Sequence, residues 1–66
     1  KGGNMKKLKW VYHKSIGEWQ AEVEDDYPFC IMEMNGAFYL YKNNKSYADF
    51  ANLSSAKKVA QLIAFG

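Results

Sequence analysis

Two stretches near the start of the chain, KKLKWVYH and EWQAEVE, alternate between apolar and polar residues. This period of two predicts strands with one buried face. The positions on that face are Leu8, Trp10, Tyr12, Trp19, Ala21 and Val23. A turn over 14–17 would close a hairpin with His13 opposite Glu18 and Lys9 opposite Glu22. Opposite charges across the strands favour this register, and we expect a surface ion pair between His13 and Glu18.

A second hairpin is predicted by Asn35-Gly36, which separates FCIMEM from AFYLYK. A type I′ turn needs positive φ at both central positions, and asparagine and glycine tolerate it best. The two-residue loop fixes the cross-strand pairs as Phe29 with Lys42, Cys30 with Tyr41, Ile31 with Leu40, Met32 with Tyr39, Glu33 with Phe38 and Met34 with Ala37. The DDYP segment before this hairpin is predicted to be a turn, because proline disfavours a central strand.

The last third of the chain predicts one helix. KNNKSYADF is polar and rich in turn residues, and we expect Tyr47 and Phe50 to reach back toward the core. LSSAKKVAQLIAFG then shows apolar residues at helical spacing, with Ser54 or Ser55 as the N-cap. The positions expected to face the sheet are Ala56, Val59, Ala60 and Ile63, and those expected to face water are Lys57, Lys58 and Gln61.

These elements predict an α+β fold, an antiparallel β-meander of three to four strands with one C-terminal α-helix packed on one face. The 66 residues suffice for one small domain. We place it at 5–66 and interpret 1–4 as a cloning remnant or a mobile tail. The sheet residues expected in the core are Trp10, Trp19, Val23, Ile31, Phe38 and Leu40.

The sheet face without a helix carries an apolar, polarizable patch on the second hairpin, composed of Cys30, Met32, Met34, Tyr39 and Tyr41. Methionine and tyrosine are favoured at adaptable binding surfaces. We therefore expect a protein partner here. Three alternatives stay open: residues 43–50 or the N-terminal tail cover the patch, a second copy stacks on it, or its aromatic rings stack on bases.

Charge gives weak support for nucleic-acid binding, because the net charge is +2 and the chain contains no arginine. A small nucleic-acid-binding domain remains an alternative, with contacts from Lys6, Lys7, Lys9 and Lys14. The single cysteine excludes an internal disulfide and is compatible with a reducing cytoplasm. No apolar run approaches the ~20 residues that cross a bilayer, so we expect no membrane association.

No arrangement typical of catalysis occurs in the sequence. His13 and Cys30 are the only residues of their types and lie on different predicted hairpins. Glycine-rich phosphate loops and metal-ligand spacings are absent from the sequence. We expect no enzyme activity, no catalytic residue, no metal and no cofactor. Cys30 is interpreted as a small apolar strand residue, since no helix N-terminus or basic cluster would lower the pKa of its thiol.

The order of Trp10, GEWQAEVE, YPFCI, FYLY, DF and LSSAKKVAQ resembles a pattern in small proteins encoded by phages and prophages. The resemblance implies a tryptophan strand, a G-x-W-x-A strand, further strands and a final helix, and an accessory or host-interaction role. GEWQAEVE and DFANLSSAKKVA are also similar to plant ethylene-response-type DNA-binding domains and to arm-binding domains of tyrosine recombinases. Those domains read the major groove through arginines and tryptophans on the exposed sheet face, and Glu24 stands at one such arginine position here.

The sequence therefore predicts a non-catalytic binding module of phage or prophage accessory type. It would engage a host or phage protein through the exposed sheet face. The alternatives are the nucleic-acid-binding domain and a homodimer formed through the same face.

Overall fold

This computed structural model describes residues 7–23 and 26–65. Each strand of its sheet pairs with the strands that precede and follow it in the sequence. The strands are β1 (Lys9–His13), β2 (Glu18–Val23), β3 (Asp26–Met34), β4 (Ala37–Lys42) and β5 (Lys45–Phe50). They lie in the order β1-β2-β3-β4-β5, and one helix, α1 (Leu53–Phe65), follows. The α+β class, the antiparallel meander and the C-terminal helix are confirmed. The proposed tail at 1–4 lies outside the described residues.

Both predicted hairpin registers are confirmed. In the first hairpin, Lys9 lies opposite Glu22 and His13 opposite Glu18. In the second, all six cross-strand pairs from Phe29–Lys42 to Met34–Ala37 occur as predicted. Asn35 and Gly36 have φ values of 53° and 81°, the positive values that a type I′ turn requires.

Within residues 7–23 and 26–65 the sheet has five strands, so the prediction of three to four was too low. The additional strand is β5, which pairs with β4 across a tight turn at Asn43 and Asn44. These two residues have φ values of 51° and 66°, so they form the same kind of turn as Asn35-Gly36. Asparagine adopts this conformation more readily than other side-chain-bearing residues, and this allows the polar KSYADF segment to pair as an edge strand.

The predicted turn at DDYP is wrong where the structure describes it, because Asp26 and Pro28 belong to β3. The pairing of β2 with β3 shifts register here, from Ala21 opposite Phe29 to Val23 opposite Asp26. One residue of β2 thus faces two of β3, which is a β-bulge. A bulge is one of the few positions in a sheet that accepts proline, because local ladder hydrogen bonds are already interrupted.

The core lies between the sheet and α1. Its buried members are Leu8, Ala21, Phe29, Ile31, Leu40, Ala56 and Ala60. The predicted core residues Trp10, Trp19 and Phe38 are partly buried against them, as are Val59 and Ile63 of the helix. The side chain of Val23 lies outside the described part. Phe50 reaches the core as predicted, whereas Tyr47 is 54% exposed, because it is the extra residue at a second bulge between β4 and β5.

The helix is capped by Asn52 rather than by Ser54 or Ser55. The Asn52 side-chain oxygen accepts a hydrogen bond from the Ser55 backbone N–H at 2.9 Å, and the Ser54 hydroxyl lies 3.1 Å from the same oxygen. Asparagine is among the best N-cap residues because its oxygen reaches N–H groups that have no partner within the helix.

Gln61 connects the far part of α1 to the start of the sheet. Its side-chain oxygen accepts a hydrogen bond of 2.9 Å from the Leu8 backbone N–H. The expectation that Gln61 faces water is therefore wrong. Since β5 leads into α1 and Leu8 precedes β1, the helix crosses the sheet from one edge strand to the other.

Candidate binding face

The sheet has a second face, turned away from α1, which we call the outer face. Side chains alternate along a strand, so the neighbours of the buried Ile31 and Leu40 point to this side. The register aligns Val11, Gln20, Cys30, Tyr41 and Ser46 in one cross-strand row and His13, Glu18, Met32, Tyr39 and Asp49 in the next. Met34 and Ala37 form a third, shorter row.

All five residues of the predicted patch lie together on the outer face. Met32 is directly opposite Tyr39 and Cys30 directly opposite Tyr41, while Met34 adjoins them at the end of β3. Met34 is 44% exposed, and the other four are half-buried. We call these five residues, Cys30, Met32, Met34, Tyr39 and Tyr41, the Met/Tyr patch.

The 43–50 segment does not fold over the Met/Tyr patch. It forms the turn at 43–44 and then β5, which lies beside β4 in the plane of the sheet. Ser46 and Asp49 of β5 are opposite Tyr41 and Tyr39 and are exposed. This strand therefore gives the patch a polar border on one side.

On the other side the patch is bordered by a hydrogen-bonded polar group on β2. The Glu18 carboxylate accepts hydrogen bonds from the Gln20 side-chain amide at 3.2 Å and from the Cys30 thiol at 3.1 Å. Burial, the hydrogen bond to Glu18 and the negative charge of Glu18 together raise the pKa of the Cys30 thiol to about 12, with burial as the largest cause. The thiol is therefore protonated at neutral pH, which agrees with its interpretation as a residue without nucleophilic character.

The predicted ion pair between His13 and Glu18 does not form. The two residues are directly opposite, as expected, but the carboxylate is directed at Gln20 and Cys30. The Nε2 atom of His13 is buried and has no hydrogen-bond partner. Cross-strand position alone thus does not decide which neighbour a carboxylate selects.

The candidate nucleic-acid contacts lie apart from the patch. Lys7, Lys9 and Lys14 are exposed and lie before, within and directly after β1, so β2 separates them from β3 and β4. Lys6 lies outside the described residues. Across the described chain, no group of three or more His, Cys, Asp or Glu side chains could hold a metal ion.

Two exposed apolar residues on β1 were not part of the predicted site. Val11 is 47% exposed and extends the outer face beyond Gln20, and the alternation of the strand could have indicated it. Tyr12 is on the helix side but is 51% exposed. Its ring lies against Trp19 with a centroid distance of 4.7 Å, and Trp19 in turn lies 6.0 Å from Phe38.

The part of the chain described here contains no helix that is long and apolar enough to cross a membrane. Comparisons of the chain with protein-family models, curated proteins and solved structures gave no match. The resemblances to phage proteins and to DNA-binding domains therefore stay predictions.

Proposed function

We propose that this protein is a non-catalytic binding module that engages another protein through the Met/Tyr patch. The proposal is based on the positions of α1 and β5, the two elements that follow the second hairpin. The helix α1 packs on the opposite face and β5 lies beside β4. Within the described chain, neither element covers these side chains.

The chemistry of the patch suits a protein surface with apolar and aromatic side chains. Methionine adapts to irregular shapes and makes favourable contacts with aromatic rings. Tyr39 and Tyr41 each combine apolar area with a hydroxyl that can satisfy a polar group on a partner. The polar border formed by Glu18 and Asp49 resembles the rim that surrounds the apolar centre of an interface.

The proposed setting is the cytoplasm, with an accessory role of the phage or prophage type that the sequence pattern resembles. The protonated thiol of Cys30 supports a binding role for the patch rather than a covalent one.

Site-specific photocrosslinking tests this proposal. A photoreactive benzoylphenylalanine at position 39 or 41 should form an adduct with a different protein in an extract of the native cell. The same group at Leu62, an exposed helix residue on the other side of the molecule, provides the matched control. An adduct of twice the 7.6 kDa chain mass would indicate the homodimer instead. Equal adducts from all three positions, or none from positions 39 and 41, would contradict the proposal.

A competition experiment completes the test. The unlabelled chain should suppress the adduct, whereas the double variant Met32→Thr, Tyr39→Thr should not. Threonine keeps a high preference for strands, so folding can be retained while the apolar contacts are lost. Unchanged competition by this folded double variant would place the partner elsewhere on the molecule.

A second candidate function is nucleic-acid binding at β1. Lys7, Lys9 and Lys14 are exposed, and the half-exposed Tyr12 ring beside Trp19 offers a stacking surface near them. Titration with short duplex and single-stranded DNA at increasing salt separates the two candidates. Affinity that falls steeply with salt would support this function, and absence of binding at low salt would exclude it.

A further inference from the structure

The outer edge of β1 is an unpaired strand edge within the described chain. β1 pairs with β2 only, and alternate N–H and C=O groups of an edge strand point away from its neighbour. The segment contains residues with high strand preference, Trp10, Val11 and Tyr12. No bulge interrupts its pairing from Lys9 to His13. It is therefore a regular template to which another extended chain could add.

The opposite edge, β5, differs in two respects. Its pairing is interrupted by the bulge at Tyr47, and it carries both a positive and a negative charge, at Lys45 and Asp49. Bulges are a common means of preventing strand addition at a sheet edge, and charged side chains, lysine above all, oppose the addition of a chain with like charge. The two edges are thus unequal, and β1 is the more accessible template.

Charge identifies the kind of chain that fits the β1 edge. Residues 7–14 contain three exposed lysines, Lys7, Lys9 and Lys14, and no acidic residue. We propose that the β1 edge binds an extended acidic segment of a partner protein by strand addition. This inference is independent of the function proposed for the Met/Tyr patch, because it concerns another surface.

A second copy of the chain fits this edge poorly. Pairing β1 with β1 of another copy would place lysines beside lysines in the parallel direction. Like charges beside each other destabilise strand pairs. In the antiparallel direction, a pairing centred on Val11 would place Lys9 of one copy opposite His13 of the other, so Lys9 would face no acidic residue.

The alternation of β1 specifies the side chains of the added strand. Lys9, Val11 and His13 share the outer side, and Trp10 and Tyr12 share the helix side. A complementary strand therefore has acidic residues at every second position and apolar or β-branched residues between them. Its acidic side would continue the outer face, and its apolar side would lie beside Trp10 and Tyr12.

The test uses a capped nine-residue peptide in which glutamate alternates with valine or threonine. Added to the isotope-labelled chain at low salt, it should shift the amide resonances of β1 and leave those of β5 unchanged. Lys9→Glu should weaken its binding about tenfold, because an attraction becomes a repulsion. Lys45→Glu, on the opposite edge, is the matched control and should have little effect.

Backbone methylation separates strand addition from attraction between charges alone. N–H groups of successive residues point to opposite edges of a strand. Methylation at the glutamate positions and methylation at the intervening positions should therefore have unequal effects, with one isomer binding and the other not. Equal binding by both isomers, equal effects of Lys9→Glu and Lys45→Glu, or no shift of β1 resonances would overturn the proposal. Dimerisation that Lys9→Glu strengthens would assign the edge to a second copy and would also overturn it.

Discussion

Adjacent residues in β3 and β4 provide a direct test of which sheet face is buried. Ile31 and Leu40 are fully buried, and their sequence neighbours Met32 and Tyr39 lie on the outer face. Truncating a buried Ile or Leu to Ala costs about 2–5 kcal/mol. A 66-residue domain has a free energy of unfolding of about 3–10 kcal/mol, so Ile31→Ala or Leu40→Ala should remove much of it.

The outer-face substitutions should cost far less although they remove side chains of equal or larger size. For Met32→Ala and Tyr39→Ala, the main loss is a cross-strand contact of about 0.2–1 kcal/mol. In a domain of this size, 1 kcal/mol corresponds to about 4–8 °C in Tm. We expect the two core variants to melt at least about 8 °C below the unmodified chain, and the two outer-face variants to remain closer to it.

Urea denaturation followed by tryptophan fluorescence and circular dichroism measures these differences. Coincidence of the two transitions, with an unchanged m-value, would show that each variant unfolds in two states. If Tyr39→Ala destabilises the chain as much as Leu40→Ala, the outer face is buried in the isolated protein. The Met/Tyr patch would then be a structural surface, and the proposed function would lose its basis.

Three further predictions follow from the cap, the thiol and the second hairpin. Asn52→Ala should lower the free energy of unfolding by about 1 kcal/mol in denaturation experiments. Asn52→Asp should lower it much less, because aspartate also caps helices well; equal losses would show that the side-chain oxygen at position 52 does not stabilise the helix. The Cys30 thiol has an ordinary pKa of 9.0 that folding raises to about 12, so its contribution to stability is complete below pH 9 and is lost as the pH rises toward 12. The unmodified chain should therefore lose more stability than Cys30→Ser between pH 8 and pH 10, measured by urea denaturation, and parallel curves would contradict this. Gly36 has φ of 81°, and Gly36→Val should destabilise the hairpin by about 1 kcal/mol or more, whereas Gly36→Asn should cost less because asparagine tolerates positive φ; thermal denaturation measures both, and equal losses would contradict this.

Local patterns were sufficient to predict much of this fold. The Asn35-Gly36 turn fixed the register of β3 with β4, and alternation with complementary charges fixed that of β1 with β2. The same reasoning failed at Asn43-Asn44, because that dipeptide is a weaker indicator of a tight turn and the strand after it is polar. The choice of Asn52 over Ser54 as the cap depends on where the chain leaves β5, which composition does not specify.

The patch and its polar border differ in how far sequence can predict them. The Met/Tyr patch lies within one hairpin, so a single two-residue turn determines its arrangement. The hydrogen bond from Cys30 to Glu18 joins β2 to β3, and their register passes through the bulge near Pro28. That register depends on how the two hairpins pack together, and no local pattern in the sequence determines it.

The hydrogen bond between Leu8 and Gln61 brings the first and last parts of the described chain together across 53 residues. Every strand pair in the meander joins sequence neighbours, and this contact connects the final element back to the first. The residue before the first strand therefore lies next to the last helix. A permuted chain, opened at the exposed Asn43-Asn44 turn and joined near the present ends, would contain the same elements in the same spatial order.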